Sequence, residues 1–169
     1  SPGNDDVIAV RDGRRYVERL ARVSLDVAAR EESVRTDGAY VITGGMGGLG
    51  LVMARWLVTA GAGRVVLNGR SPLTAEQQTQ LDELSGTTEF AYVAGDISAP
   101  GVADTLVRSA EETGHSLRGV LHSAAVIDDA LVVALGRDSL ERVWAPKVTG
   151  ALALHTATTE RDLDFWIVF

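Results

Sequence analysis

The chain has 169 residues, 46% of them hydrophobic and 23% charged, which is enough for one domain with a substantial core and a short appendage. It holds no cysteine, which excludes disulfides, thiolate zinc sites and cysteine nucleophiles and means that redox chemistry needs a borrowed cofactor. A formal net charge of −7 argues against nucleic-acid binding and leaves any anionic ligand to helix ends and single arginines.

No apolar run approaches the roughly 20 residues of a membrane span, and Ser1-Pro2-Gly3-Asn4-Asp5-Asp6 is unlike a secretory leader, so a cytoplasmic protein is expected. In chain order, Val7-Ile8-Ala9-Val10, Arg11-Asp12-Gly13-Arg14 and Tyr16-Val17 read as strand, turn and strand, followed by a charged linker through Arg35. Residues 1–36 are therefore set apart, either as an edge hairpin on the main domain or as the end of a neighbouring one. Residues 37–169 form the main domain.

There, the strand-like Ala39-Tyr40-Val41-Ile42 runs into Thr43-Gly44-Gly45-Met46-Gly47-Gly48-Leu49-Gly50, which opens a helix with Leu49, Val52, Met53, Trp56, Leu57 and Ala60 at helical spacing. Strand, glycine loop and helix in that order predict a dinucleotide-phosphate site: the glycines let backbone approach a pyrophosphate, and the helix N-terminus attracts its charge. Two registers fit, Gly45-x-Gly47-x-x-Gly50 and Thr43-Gly44-x-x-x-Gly48-x-Gly50.

Alternation continues with a strand at Arg64-Val65-Val66-Leu67, a helix from Thr74 to Leu84, a strand at Glu89 to Val93 and a helix carrying Val102, Leu106, Val107 and Ala110. Strands at Leu117–His122 and Leu163–Phe169 flank a long helical segment, about Ser139 to Thr156, that contains Pro146. Five strands alternating with helices predict an α/β fold, a Rossmann-like doubly wound parallel sheet.

After the second of these strands, Leu67-Asn68-Gly69-Arg70-Ser71 offers no carboxylate for a ribose 2′-hydroxyl. Arg70 is instead suited to a 2′-phosphate, which favours NADPH, or it is a solvated loop arginine. In Gly95-Asp96-Ile97-Ser98, Asp96 either accepts from an adenine amino group or caps the next helix. Small residues in His122-Ser123-Ala124-Ala125 let a ligand lie against backbone.

Lys147 is the single lysine. It shares a helical face with Leu140, Val143, Trp144, Val148 and Ala151, so its ammonium is expected to point inward or into a cleft, where desolvation would ease loss of its proton, unless Pro146 kinks the helix. The three histidines, His115, His122 and His155, are not clustered and are read as structural or surface residues, and no metal site is indicated.

The glycine run, Gly95-Asp96-Ile97, Leu117-Arg118-Gly119-Val120-Leu121-His122, Ile127-Asp128-Asp129 and Ala145-Pro146-Lys147 occur in an order that resembles the ketoreductase domain of type I polyketide synthases, in the short-chain dehydrogenase/reductase superfamily. The resemblance runs from about Ala39 to Phe169, and is similar in particular to mycobacterial mycocerosic-acid-synthase-like enzymes. It implies that NADPH reduces the β-keto group of a chain tethered to an acyl carrier protein, giving a β-hydroxyacyl thioester, beside neighbouring synthase domains. The implied cofactor residues are Thr43 to Gly50, Arg70, Ser71, Asp96, Ile97, Ser123, Ala124 and Ala125.

Lys147 matches the family's relay lysine. Ile127-Asp128-Asp129 is similar to the signature of members that make the D (3R) isomer, with Asp128 and Asp129 in stereocontrol, although two acids before a helix also serve as caps. Ile127 stands in place of leucine, and Ala125 where the family has glycine. Asp164 to Phe169 resembles the strand before the family's catalytic serine, and the relay's serine, tyrosine and asparagine have no match, so the chain alone is expected not to reduce ketones. Residues 1–36 resemble the last strands and linker of the family's silent structural subdomain. The rival readings are a non-catalytic structural domain, against which the intact glycines, Arg70 and Lys147 speak, and a nucleotide-sugar epimerase.

Overall fold

A computed structural model describes residues 7–22 and 33–169. Two compact units divide at Ser1–Glu31 and Glu32–Phe169. The first contains β1 (Ile8–Arg11) and β2 (Arg14–Val17), an antiparallel pair closed by Asp12 and Gly13, both at positive φ. That is the turn geometry a two-residue hairpin favours. Residues 23–32 of the expected linker lie outside the described residues. The break comes before residue 36 because Val34 is buried in the core and the Arg35 guanidinium reaches Asp164 at 2.7 Å.

The second unit is a five-stranded parallel sheet in the order β5-β4-β3-β6-β7, where β3 is Gly38–Thr43, β4 Arg64–Gly69, β5 Glu89–Ala94, β6 Ser116–His122 and β7 Phe165–Val168. Four of the strands match their expected positions, whereas β7 is shorter than the Leu163–Phe169 run. The central strands are apolar on both faces, as a parallel sheet covered on both sides requires. Ala39 and Val41 face one cluster, with Leu106 and Val107 from α3 (Val102–Glu111) and Leu154 from α5 (Gly150–Thr158). Tyr40 and Ile42 face the other, with Ala54 and Leu57 from α1 (Gly48–Thr59) and Leu81 from α2 (Ala75–Ser85).

Two local features hold the layers in register. Thr74 and Gln77 form a reciprocal capping box that starts α2, satisfying two N-terminal donors. In β6 a register shift at Arg118 brings Gly119 opposite Tyr40, and a Cβ at Gly119 would meet the Phe165 ring at 2.5 Å. Phe165 instead lies flat on Tyr40, with ring centroids 5.6 Å apart. The stacking ties β7 to the centre of the sheet.

The long helix expected from Ser139 to Thr156 is three pieces: α4 (Arg137–Trp144), a π-helical turn (Ala145–Thr149) and α5. Pro146 lacks an N–H, and the Gly150 N–H bonds the Ala145 carbonyl one residue further back than in an α-helix. A Cβ on Gly150 would meet Ile97 Cγ2 at 2.8 Å, so glycine lets α5 lie close on the sheet edge. Among the described residues, no helix is long and apolar enough to cross a membrane.

Candidate functional site

The loops that leave β3, β4, β5 and β6 at their C-terminal ends surround a cleft of about 680 Å³. This is the edge at which open α/β sheets bind ligands. Gly44 and Gly47 line its floor, Gly69, Arg70, Asp96 and Ile97 one side, and Ser123, Ala124 and Ala125 the other. The remaining residues of the run do not line it. Thr43, Gly45 and Gly50 are buried beneath it, Met46 packs on the core, and Gly48 and Leu49 are exposed in the first turn of α1.

The glycines serve distinct ends. Gly44 adopts φ +66°, which favours glycine, and a Cβ there would press on the Ser123 carbonyl at 2.8 Å. A Cβ on Gly45 would meet Leu67 Cβ at 2.7 Å, and one on Gly50 would strike the Gly44 carbonyl. Nothing lies within 4 Å of a Cβ built on Gly48. The first group folds the loop, and a Cβ on Gly47, the residue before α1, would also crowd the Gly44 carbonyl at 3.1 Å, whereas Gly48 leaves open space at the helix N-terminus, where a phosphate is favoured.

Asn68, which sequence reasoning passes over, carries much of the geometry. Its carbonyl accepts from the Gly45 N–H, and its buried amide nitrogen donates to the Val93 and Gly95 carbonyls at 3.0 and 2.9 Å. It thereby joins the glycine loop to the ends of β4 and β5. Arg70 is exposed at the lip, and Ser71 stands just outside the lining, with its carbonyl bonded by the Tyr92 hydroxyl.

Asp96 faces the cleft, but it does not cap α3, whose N-cap position is taken by Gly101. Its Oδ1 accepts from the Ser98 hydroxyl at 2.6 Å and the Ser98 N–H at 2.9 Å, closing a tight turn. Those bonds, the hydroxyl foremost, hold the carboxyl below its ordinary range, and the positive charge of Arg70 adds to the effect.

On the opposite wall, Ser123 donates to the Thr43 carbonyl at 2.7 Å and the Ala124 N–H reaches Thr43 Oγ1 at 3.3 Å. The mouth is bordered by Asp138, Glu141 and Arg142 from α4, none of which the sequence reading singles out. A shallower depression of about 320 Å³ adjoins it through Val126 and is lined by Asp128, Asp129, Ser139 and Lys147.

Lys147 requires a correction. It is exposed, and its stripe does not face inward: Leu140 is 57% and Trp144 62% exposed. The π-turn inserts an extra residue between Trp144 and Gly150, so uniform helical spacing misplaces the face on which Lys147 stands; of the interior and the cleft that the spacing allowed, Lys147 borders the shallower depression. Asp128 and Asp129 are not helix caps either. Arg142 donates to Asp128 Oδ2 from Nε at 2.8 Å and from Nη2 at 2.5 Å. The Ser139 hydroxyl first, then Arg142, hold the Asp128 carboxyl below its ordinary range.

Residues 38–169 match the family described as the KR domain. The chain belongs to that family. The matched ketoreductase domains are those of type I polyketide synthases, a class of NAD(P)H-dependent oxidoreductases, and the Rossmann-like parallel sheet described above matches theirs. The chain is 56% identical over 166 residues to a phenolphthiocerol/phthiocerol polyketide synthase of Mycobacterium tuberculosis, covering 98% of itself and 9% of that protein. It is 45% identical over 136 residues to the phthioceranic/hydroxyphthioceranic acid synthase of Mycobacterium bovis, covering 80% of itself and 6% of that protein. It thus spans under a tenth of these relatives.

Among solved structures, the first ketoreductase of the tylosin polyketide synthase superposes with a TM-score of 0.81 at 33% identity, covering 99% of this chain and 36% of that one. An N-terminal ketoreductase from the macrolactin assembly line gives 0.77 at 36% identity, covering 92% and 31%.

Proposed function

We propose that this KR domain binds NADPH in the cleft at the C-terminal edge of the sheet and serves the reduction of a β-keto group on an acyl chain carried by an acyl carrier protein. The observation that carries the reading is the glycine loop, which puts Gly44 and Gly47 in the cleft and leaves Gly48 open in the first turn of α1 while Arg70 stands at the lip. The pyrophosphate is held by backbone N–H groups at the start of α1. Arg70 pairs with the 2′-phosphate, and the lack of a carboxylate in Leu67-Asn68-Gly69-Arg70-Ser71 favours NADPH over NADH. Asp96, which lines the same cleft, is assigned to accept from the adenine amino group.

NADPH supplies the hydride when bound. Bound there, it would reduce the ketone to the β-hydroxyacyl thioester, with the proton for the ketone oxygen coming through the relay. Lys147 is assigned to the proton relay, on the family resemblance and on its place beside Asp128 and Asp129. Asp128, held by Arg142, and Asp129 border the approach and are assigned to stereocontrol toward the D (3R) product. This chain is read as the cofactor-binding part of such a domain, working with neighbouring synthase domains.

The test is the full-length synthase with a β-ketoacyl thioester on its carrier protein. Lys147→Ala is expected to lower β-hydroxy product formation by about a hundredfold or more. Unchanged turnover would overturn the assignment of Lys147.

A further inference from the structure

His122 ends β6 with 1% of its surface exposed, and the proposed reaction uses it neither as acid nor as base. Nδ1 lies 2.6 Å from Thr43 Oγ1 and Nε2 lies 2.9 Å from the Pro146 carbonyl oxygen. The directions of these bonds are determined by chemistry. A carbonyl only accepts, so Nε2 carries the proton and donates to Pro146. In the neutral ring Nδ1 is then bare and accepts from the Thr43 hydroxyl. The Thr43 oxygen keeps lone pairs free for the Ala124 N–H.

One ordered chain therefore runs from Ala124 through Thr43 and His122 to Pro146. Ala124 and Pro146 both line the cleft, and Thr43 precedes Gly44, which also lines it. The chain passes behind the cleft wall and ends one residue before Lys147. The Pro146 carbonyl is available because the Gly150 N–H, its α-helical partner, has shifted to Ala145. The π-turn and the histidine are two parts of one device.

We propose that His122 is a positioning residue that registers the Lys147-bearing turn against the glycine loop, so that filling the dinucleotide cleft fixes where Lys147 stands. This rests on the dinucleotide reading given above. Without the imidazole, the glycine loop keeps its own bonds to Asn68 and Ser123, whereas the turn loses its hydrogen bond to the end of β6.

The single lysine provides the assay, since an amine-acylating reagent can modify only Lys147 and the N-terminal amine, and peptide mapping separates the two. In the unaltered chain, saturating NADPH is expected to slow Lys147 acylation by about tenfold. His122→Asn places an acceptor near the Nδ1 position but cannot reach Pro146. It is expected to bind NADPH within about threefold of the unaltered affinity while losing most of the protection of Lys147. His122→Gln, whose amide nitrogen extends to the Nε2 position, is expected to restore protection.

Protection in His122→Asn equal to that of the unaltered chain would overturn the proposal, as would loss of protection only in proportion to loss of NADPH binding. If neither variant folds, His122 is a core-filling residue and the proposal fails. NADPH binding without protection in the unaltered chain contradicts this inference alone, whereas no binding at all overturns the dinucleotide reading and this inference with it.

Discussion

Gly45 and Gly48 stand three residues apart in one loop and are constrained by different things. At Gly45 a methyl group would collide with Leu67, so Gly45→Ala is expected to cost about 1–3 kcal/mol by overpacking, read as a lower urea midpoint. At Gly48 the space is open and the residue lies in the first turn of a helix, so Gly48→Ala is expected to keep stability or raise it by up to about 1 kcal/mol. The same methyl group intrudes where the pyrophosphate is placed, and NADPH affinity is expected to fall about tenfold. Equal NADPH affinity in the Gly48 variant would show that the phosphate lies elsewhere. Arg70→Ala is expected to weaken NADPH by about ten- to a hundredfold and to spare NADH, since only NADPH carries the 2′-phosphate. Equal loss for both cofactors would remove that role.

At the scale of elements, the strands and α1 to α3 are legible in the sequence because each is a short apolar or periodic run bounded by glycine or polar residues. Lys147 is misplaced when a 3.6-residue period is carried through Pro146, where a π-turn changes the rotation. The apolar residues Leu140 and Trp144 read as a buried stripe, although apolar spacing shows only that a face is continuous, not that the sheet covers it. The roles of Asn68 and His122 are hidden for another reason. They depend on which strands are neighbours and in what register, as with Thr43 opposite His122 and Asn68 opposite Val93. Linear spacing carries no such information. Arg142, which secures Asp128 from α4, belongs to the same class. Since Arg142 is exposed and Asp128 half-buried in a surface pair, Arg142→Ala is expected to leave global stability little changed. Hydrogen exchange in residues 126–136 should nevertheless accelerate, and unchanged exchange there would mean that the pair does not hold the loop.

For the whole molecule, acid should act through the sheet's buried histidine before it acts on the carboxylates. Burial foremost, aided by the charge of Lys147, pushes His122 below its ordinary value of 6.5, against the opposing effect of the Pro146 hydrogen bond. The unfolded chain then binds more protons than the folded one as pH drops below 6.5. The stabilisation is complete above that value and is lost as pH falls through the lower folded value. Asp96 and Asp128, also depressed, lose theirs in a separate, more acidic window, below their ordinary 3.8. Urea midpoints measured across pH should therefore decline first below 6.5, and His122→Asn should remove that first decline while leaving the acidic one. A first decline that persists in the variant would assign it to another group.

The central claim, that the loops at the C-terminal edge of this sheet form an NADPH site, is tested most directly by fluorescence titration of the 169-residue chain with NADPH and, in parallel, NADH. The account predicts saturable binding that prefers NADPH and weakens in Gly48→Ala. Absence of saturable binding, or a preference for NADH, would contradict it.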